Sequence, residues 1–288
     1  MKPNGEYSDD ASPSPLELAL PPELLTRLKR RAAATGEPAE ALALQALRRG
    51  LAESDGTRAL YVSAPVNALV EGIYEENTTI ADIRRHGDFG LGTFNHLDGE
   101  MVVLDGRVYQ LKSDGLAYAV EDGAQTPFAC VSFFSPDSEE TIADVLDFPA
   151  LTGLLERMIP SPNMIYAIRI EGDFGFVKTR SVPRQESYRP LVEVAREQPE
   201  FEFHQVSGTM AGYWTPSFME SLAVPGYHLH FLTADRRHGG HLLACHTRNV
   251  RIAIQHLPRL NVALPVTLDY LTAEFTRDMN RDLDEAEH

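Results

Sequence analysis

Residues 226–246 read GYHLHFLTADRRHGGHLLACH, and the rest of the chain is best understood outward from them. Gly226 to Thr233 has the texture of a β-strand, in which side chains two positions apart leave the same face. His228 and His230 therefore project together and can turn their ring nitrogens towards one ion. Ala234 to Gly240 is a turn, and the chain resumes at His241 as the returning strand of an antiparallel hairpin. Pairing His241 with either His230 or Leu232 puts the third imidazole on the face of the first two. Three imidazoles with an open fourth position make a catalytic zinc site, whereas a structural site closes all four positions, usually with cysteines. The neighbours do not fit: Cys245 lies about 13 Å along the strand from His241, His246 faces away and His238 sits in the turn. Gly239 and Gly240 mark a bulge or a close backbone approach beside the site.

From Ala59 onward the same β-type texture recurs, in LYVSA, EMVVL, RVYQL, ACVSFF, MIYAIRIEG, FGFVKTRSV, YHLHFLT and HLLACHT. Asp98-Gly99 and Asp105-Gly106 are tight-turn dipeptides, so Glu100 to Tyr109 is expected to be a strand pair. Helices are expected over Thr79–Arg85, Ser138–Asp147, Pro149–Met158 and Leu268–Ala286. The class is α+β with strands dominating.

Residues 1–15 are polar and proline-containing, with too little apolar surface to order themselves. Residues 16–58 read as a short strand, two helices (Pro22 to Ala34 and Glu37 to Glu53, broken at Gly36) and a polar linker. That order resembles the ribbon-helix-helix module. Neither face of the strand, Leu16 and Leu18 or Glu17 and Ala19, offers the side chains that read base edges, so the segment is expected to dimerise or cap and not to bind DNA.

Composition supports this. The 288 residues carry 26 Lys plus Arg against 42 Asp plus Glu, and a net charge of −16 repels nucleic acid and anionic membranes. Cys130 and Cys245 are too few for a disulfide framework and read as reduced core residues. No basic-plus-apolar export signal and no apolar run of about 18 residues is visible, so the expected location is the cytoplasm.

Two further segments carry chemistry-bearing residues. Residues 86–100, HGDFGLGTFNHLDGE, read as a glycine-rich loop able to approach a ligand closely. Residues 174–185, FGFVKTRSVPRQ, set Arg180 and Arg184 in or just after a strand, where a guanidinium can clamp a carboxylate.

Taken together, HGDFGLGTFNHLDGE, TPFACVSFF, TRSVPRQ, GYHLHFLT with RRHGGHLL, and the closing EAE resemble the acetolactate decarboxylase family over about residues 59–288. The resemblance implies two closely packed, β-sheet or barrel-like domains, a homodimer, and a Zn2+ ion on His228, His230 and His241. It also implies roles for Thr93 and Glu100, for an arginine matching Arg180 (or Arg184), and for a C-terminal glutamate matching Glu287 (or Glu285). The activity implied is conversion of 2-acetolactate to acetoin and CO2, with the cation as Lewis acid at the substrate's ketone and hydroxyl oxygens. Arg180 would orient the carboxylate, Glu100 or Glu287 deliver the proton, and Thr93 hydrogen-bond the substrate. Two other readings compete: a cupin-like metalloenzyme, from Gly226-Tyr-His-x-His and Asp235, and a ribbon-helix-helix regulator with a metabolite-binding domain.

Overall fold

The computed structural model describes residues 20–35, 38–40, 42–43, 47, 58–187, 189 and 191–275. Contacts divide the chain into two units, Met1–Leu51 and Ala52–His288. In the first, helix α1 spans Pro22–Thr35, as expected. The tail, the strand before α1, most of the second expected helix, and Glu285 and Glu287 lie outside the described residues.

Strands dominate the second unit. Seven of them make one sheet: β1 (Ala59–Val62), β2 (Phe89–Thr93), β3 (Glu100–Leu104), β4 (Arg107–Leu111), β5 (Ala117–Ala119), β6 (Ala129–Ser132) and β12 (Arg259–Val262), in the order β12-β1-β6-β2-β3-β4-β5. The β3–β4 hairpin turns at Asp105-Gly106, both at positive φ, as the Asp-Gly dipeptide predicts. The second sheet has five strands: β7 (Ser138–Ile142), β8 (Ile165–Arg180), β9 (Glu200–Thr215), β10 (Gly226–Thr233) and β11 (Gly239–Leu257), in the order β10-β9-β8-β11-β7. β10 also pairs with β11, which closes β8, β9, β10 and β11 into a ring. Closure removes two sheet edges that would otherwise expose unpaired backbone groups.

The helices described in this unit are α2 (Val66–Val70), α3 (Ile80–Arg84), α4 (Phe148–Met158), α5 (Leu191–Ala195) and α6 (Leu268–Thr272). α3 starts with a capping box in which Thr79 and Asp82 satisfy one another's backbone N–H groups. α4 starts where Asp147 accepts from the Ala150 N–H at 2.9 Å, with proline in its first turn.

Alternation along the strands decides where the core lies. Leu229 and Phe231 of β10 join Ile168, Phe174 and Leu151 in one apolar cluster. Leu232, on the histidine face, joins Leu91, Phe128 and Tyr213 in a second cluster that fuses the two sheets. Tyr213 ties that junction with its hydroxyl, which donates to the Phe89 carbonyl at 3.0 Å and lies 3.1 Å from the Ser132 hydroxyl.

Several elements depart from expectation. Ser138–Asp147 is not a helix: β7 occupies Ser138–Ile142, because β11 runs on to Leu257 and offers a long edge to pair with. Tertiary pairing here overrides a local preference for helix. The two strands expected over 164–182 are one strand, β8, which passes through Gly172 at positive φ. The glycine-rich stretch is a loop only in part, since Phe89–Thr93 is β2, and a Cβ on Gly90 would stand 2.1 Å from the Cys130 carbonyl oxygen. β9 is not among the expected strands. Cys130 and Cys245 are free and buried, as expected, and burial pushes the Cys245 thiol up to about 12.

Candidate metal centre

β10 lies between β9 and β11, and this placement builds the cluster. His228 pairs with Tyr213 on one side, and His230 stands directly opposite His241 on the other. The three imidazoles offer ring nitrogens within 4.8 Å of one another. His228 Nε2 and His230 Nε2 are 3.2 Å apart. All three residues are buried.

The hydrogen-bonding state suits a cation. His230 Nδ1 lies 2.7 Å from the Met101 carbonyl oxygen of β3, so Nδ1 carries the proton and Nε2 presents a lone pair to the cluster. Burial, and then the proximity of His228, hold the His230 pKa well below the ordinary imidazole range, which keeps the ring neutral. Three buried imidazoles converging in this way match the donor set of a divalent transition-metal ion.

The cluster opens into a cleft of about 40 Å³ bordered by His228, His241, Thr93, Glu100, Arg180 and Gln198. Leu69 of α2, Leu191 of α5, Leu97 and Phe128 complete an apolar wall. Glu100 begins β3 opposite Thr93 of β2, and its Oε2 lies 3.7 Å from His230 Nε2. The Thr93 hydroxyl donates to the Gly99 carbonyl at 2.8 Å, which fixes the turn leading into Glu100. Arg180 ends β8, opposite His241 on β11 and Glu200 on β9.

Arg184 is elsewhere: its Nε donates to Glu186 at 2.9 Å, and it does not border the cleft. Nor do His238, which bonds the Gly115 carbonyl at 2.9 Å, and His246, whose ring lies tilted against Phe176. Gly240 allows the expected close approach, since a Cβ there would sit 2.5 Å from the Arg180 carbonyl oxygen. Gln198 had no signal in the sequence. It lies in the short connection between α5 and β9, and packing alone brings it to the cleft.

Three buried imidazoles beside a carboxylate and a guanidinium, in a small partly apolar cleft, define the kind of site found in mononuclear metalloenzymes. A family model described as alpha-acetolactate decarboxylase matches residues 60–277. The alpha-acetolactate decarboxylase of Methylococcus capsulatus is 42% identical over 230 residues, spanning 80% of this chain and 88% of the relative. The enzyme of that name from Bacillus subtilis is 37% identical over 246 residues, spanning 85% and 96%. The crystal structure of alpha-acetolactate decarboxylase from Bacillus subtilis strain 168 superposes with a TM-score of 0.78 at 37% identity, covering 80% of this chain and 99% of that one. The chain belongs to the alpha-acetolactate decarboxylase family. Membership favours that reading over the cupin-like and regulator alternatives.

Proposed function

We propose that this chain decarboxylates 2-acetolactate to acetoin and CO2, with one zinc ion held by His228, His230 and His241. The observation that carries the reading is the approach of three buried imidazoles to Glu100 and Arg180 around one small cleft, inside the region matched by the family. A zinc ion held by His228, His230 and His241 would supply a Lewis acid to stabilise the negative charge that develops on the substrate's oxygens.

The side chains do the rest. Arg180 donates from its planar fork to the substrate carboxylate and so fixes which bond is to break. As the carbon–carboxylate bond breaks, its electron pair passes into the adjacent ketone and CO2 leaves. One proton returned to the same carbon restores the ketone and gives acetoin. We assign delivery of that proton to Glu100, a reading supported by its 3.7 Å separation from His230 Nε2, with Glu287 as the second candidate. Thr93 holds the Gly99 carbonyl and so positions Glu100, in addition to any contact with substrate. The apolar wall receives the methyl groups and keeps water from the reacting carbon.

We assign residues 59–288 to this catalytic region, working as a homodimer in the cytoplasm. The front segment, 16–58, serves dimerisation or capping. Among the described residues no helix is long and apolar enough to cross a membrane.

The test is purified protein assayed for acetoin and CO2 before and after metal stripping, with metal content measured alongside. The reading predicts loss on stripping and recovery with Zn2+. Turnover that persists in metal-free protein contradicts it.

A further inference from the structure

Gln198 is a polar residue of the cleft that the steps above leave without a task. Its Oε1 is buried and meets no hydrogen-bond donor of the protein. Among the described residues bordering the cleft, it is the buried side-chain oxygen in that condition. Native structures rarely leave such an acceptor unsatisfied, because burial without a partner forfeits its bonds to water.

The connection that carries Gln198 is anchored beside Arg180. The next residue, Pro199, accepts from the Ser181 N–H at 3.2 Å, and Glu200 pairs with Arg180 across the β8–β9 ladder. Lys178 adds an ion pair to Glu200 at 2.6 Å. The backbone next to Gln198 is therefore held by the same strand end that carries Arg180.

The donor and acceptor inventory of the substrate then leaves little choice. In 2-acetolactate the ionised carboxylate and the ketone only accept hydrogen bonds, and the tertiary hydroxyl is the single donor. An uncharged, unpaired acceptor on a residue that borders the cleft has one complementary partner on this molecule. The same oxygen disfavours the carboxylate, which is directed to Arg180.

We propose that Gln198 is a positioning and specificity-determining residue that accepts a hydrogen bond from the substrate's 2-hydroxyl group, so that the cleft selects 2-hydroxy acids. Together with Arg180 it would fix two of the substituents on the reacting carbon, and with them the face that receives the proton. The inference rests on the decarboxylase reading for the identity of the substrate.

The test uses the metal-loaded enzyme and two unreactive carboxylates, 2-hydroxy-2-methylbutanoate and 2-methylbutanoate, which differ by the hydroxyl alone. Their affinities are measured by calorimetry for wild type, Gln198→Met and Gln198→Glu. Gln198→Met keeps the length of the side chain and removes the acceptor, so the preference for the hydroxy acid should fall about tenfold. Gln198→Glu keeps an acceptor at the same reach and should retain the preference, even if both carboxylates bind more weakly. Taking the ratio cancels that repulsion. With acetolactate itself, Gln198→Met should raise KM and lower kcat, and should erode the handedness of the acetoin formed.

An unchanged hydroxy-acid preference in Gln198→Met overturns the proposal, as does equal loss in Gln198→Met and Gln198→Glu. If Gln198→Met does not fold, Gln198→Asn takes its place: it withdraws the acceptor by one methylene, and an unchanged preference there has the same force. Failure of the decarboxylase reading is visible separately, as absence of acetoin from the wild-type enzyme.

Discussion

Replacing Gly212 with Ala drives a methyl group into the strand that carries the histidines. A Cβ on Gly212 would stand 1.9 Å from the His228 carbonyl oxygen, 2.9 Å from its carbonyl carbon and 3.0 Å from Leu229 Cα. All three are backbone atoms, so no side chain can swing away. Reaching even a tight contact moves β10 against β9 by roughly an ångström at His228. Metal–imidazole bonds near 2.0–2.1 Å tolerate only about ±0.2 Å. Overpacking of this kind costs about 1–3 kcal/mol in stability, and metal affinity should fall by about a hundredfold, the upper end of the range seen when ligand orientation is disturbed. The assay is zinc titration against a competing chelator, with thermal unfolding of the metal-free protein run beside it. Gly153→Ala supplies the control, because a Cβ there meets nothing within 4 Å and the position lies within helix α4. That variant should bind zinc normally and gain up to about 1 kcal/mol. Normal zinc affinity in Gly212→Ala would refute the reasoning that strand register sets the cluster.

Other consequences can be measured directly. Arg180→Lys should lower kcat/KM by about a hundredfold, since a point charge replaces a planar fork, while Arg184→Ala should stay within about twofold; equal effects would reverse the assignment. Tyr213→Phe removes the hydroxyl shared by the Phe89 carbonyl and Ser132 and should cost about 1–3 kcal/mol in denaturant unfolding. Glu76 has a pKa raised above 4.5, by burial first, although Thr267 donates to it at 2.8 Å. The folded state therefore holds this proton more tightly than the unfolded chain. The stability from Glu76 is fully present below pH 4.5 and is lost as pH rises through the raised value. Glu76→Gln should accordingly gain stability relative to wild type on going from pH 4.5 to neutrality; a difference that does not change with pH removes that role.

How much of this was legible from residues alone depends on the range of the interactions. The His228/His230 pair follows from the two-residue repeat of a strand, and the β3–β4 hairpin from the Asp-Gly dipeptide, because both are local. The meeting of His230 with His241 needed only a hairpin, and the sequence left two registers open; the observed one pairs them directly. β7 was misread as helix because its strand state comes from the edge of β11, more than a hundred residues away. The first half of the glycine stretch looked like a loop because Gly90 and Gly92 serve close strand approach to β6, not turns. Gln198 was invisible for a related reason: its surroundings are built by β8, β9 and α5 together.

The proposed centre is one cation held by three imidazoles. X-ray absorption at the zinc edge of the purified, zinc-loaded protein measures this directly. The expected spectrum shows three imidazole nitrogens at about 2.0–2.1 Å with lighter oxygen ligands completing the shell, and a count reduced by one in His230→Ala. A spectrum without imidazole scattering, or one unaltered in His230→Ala, contradicts it.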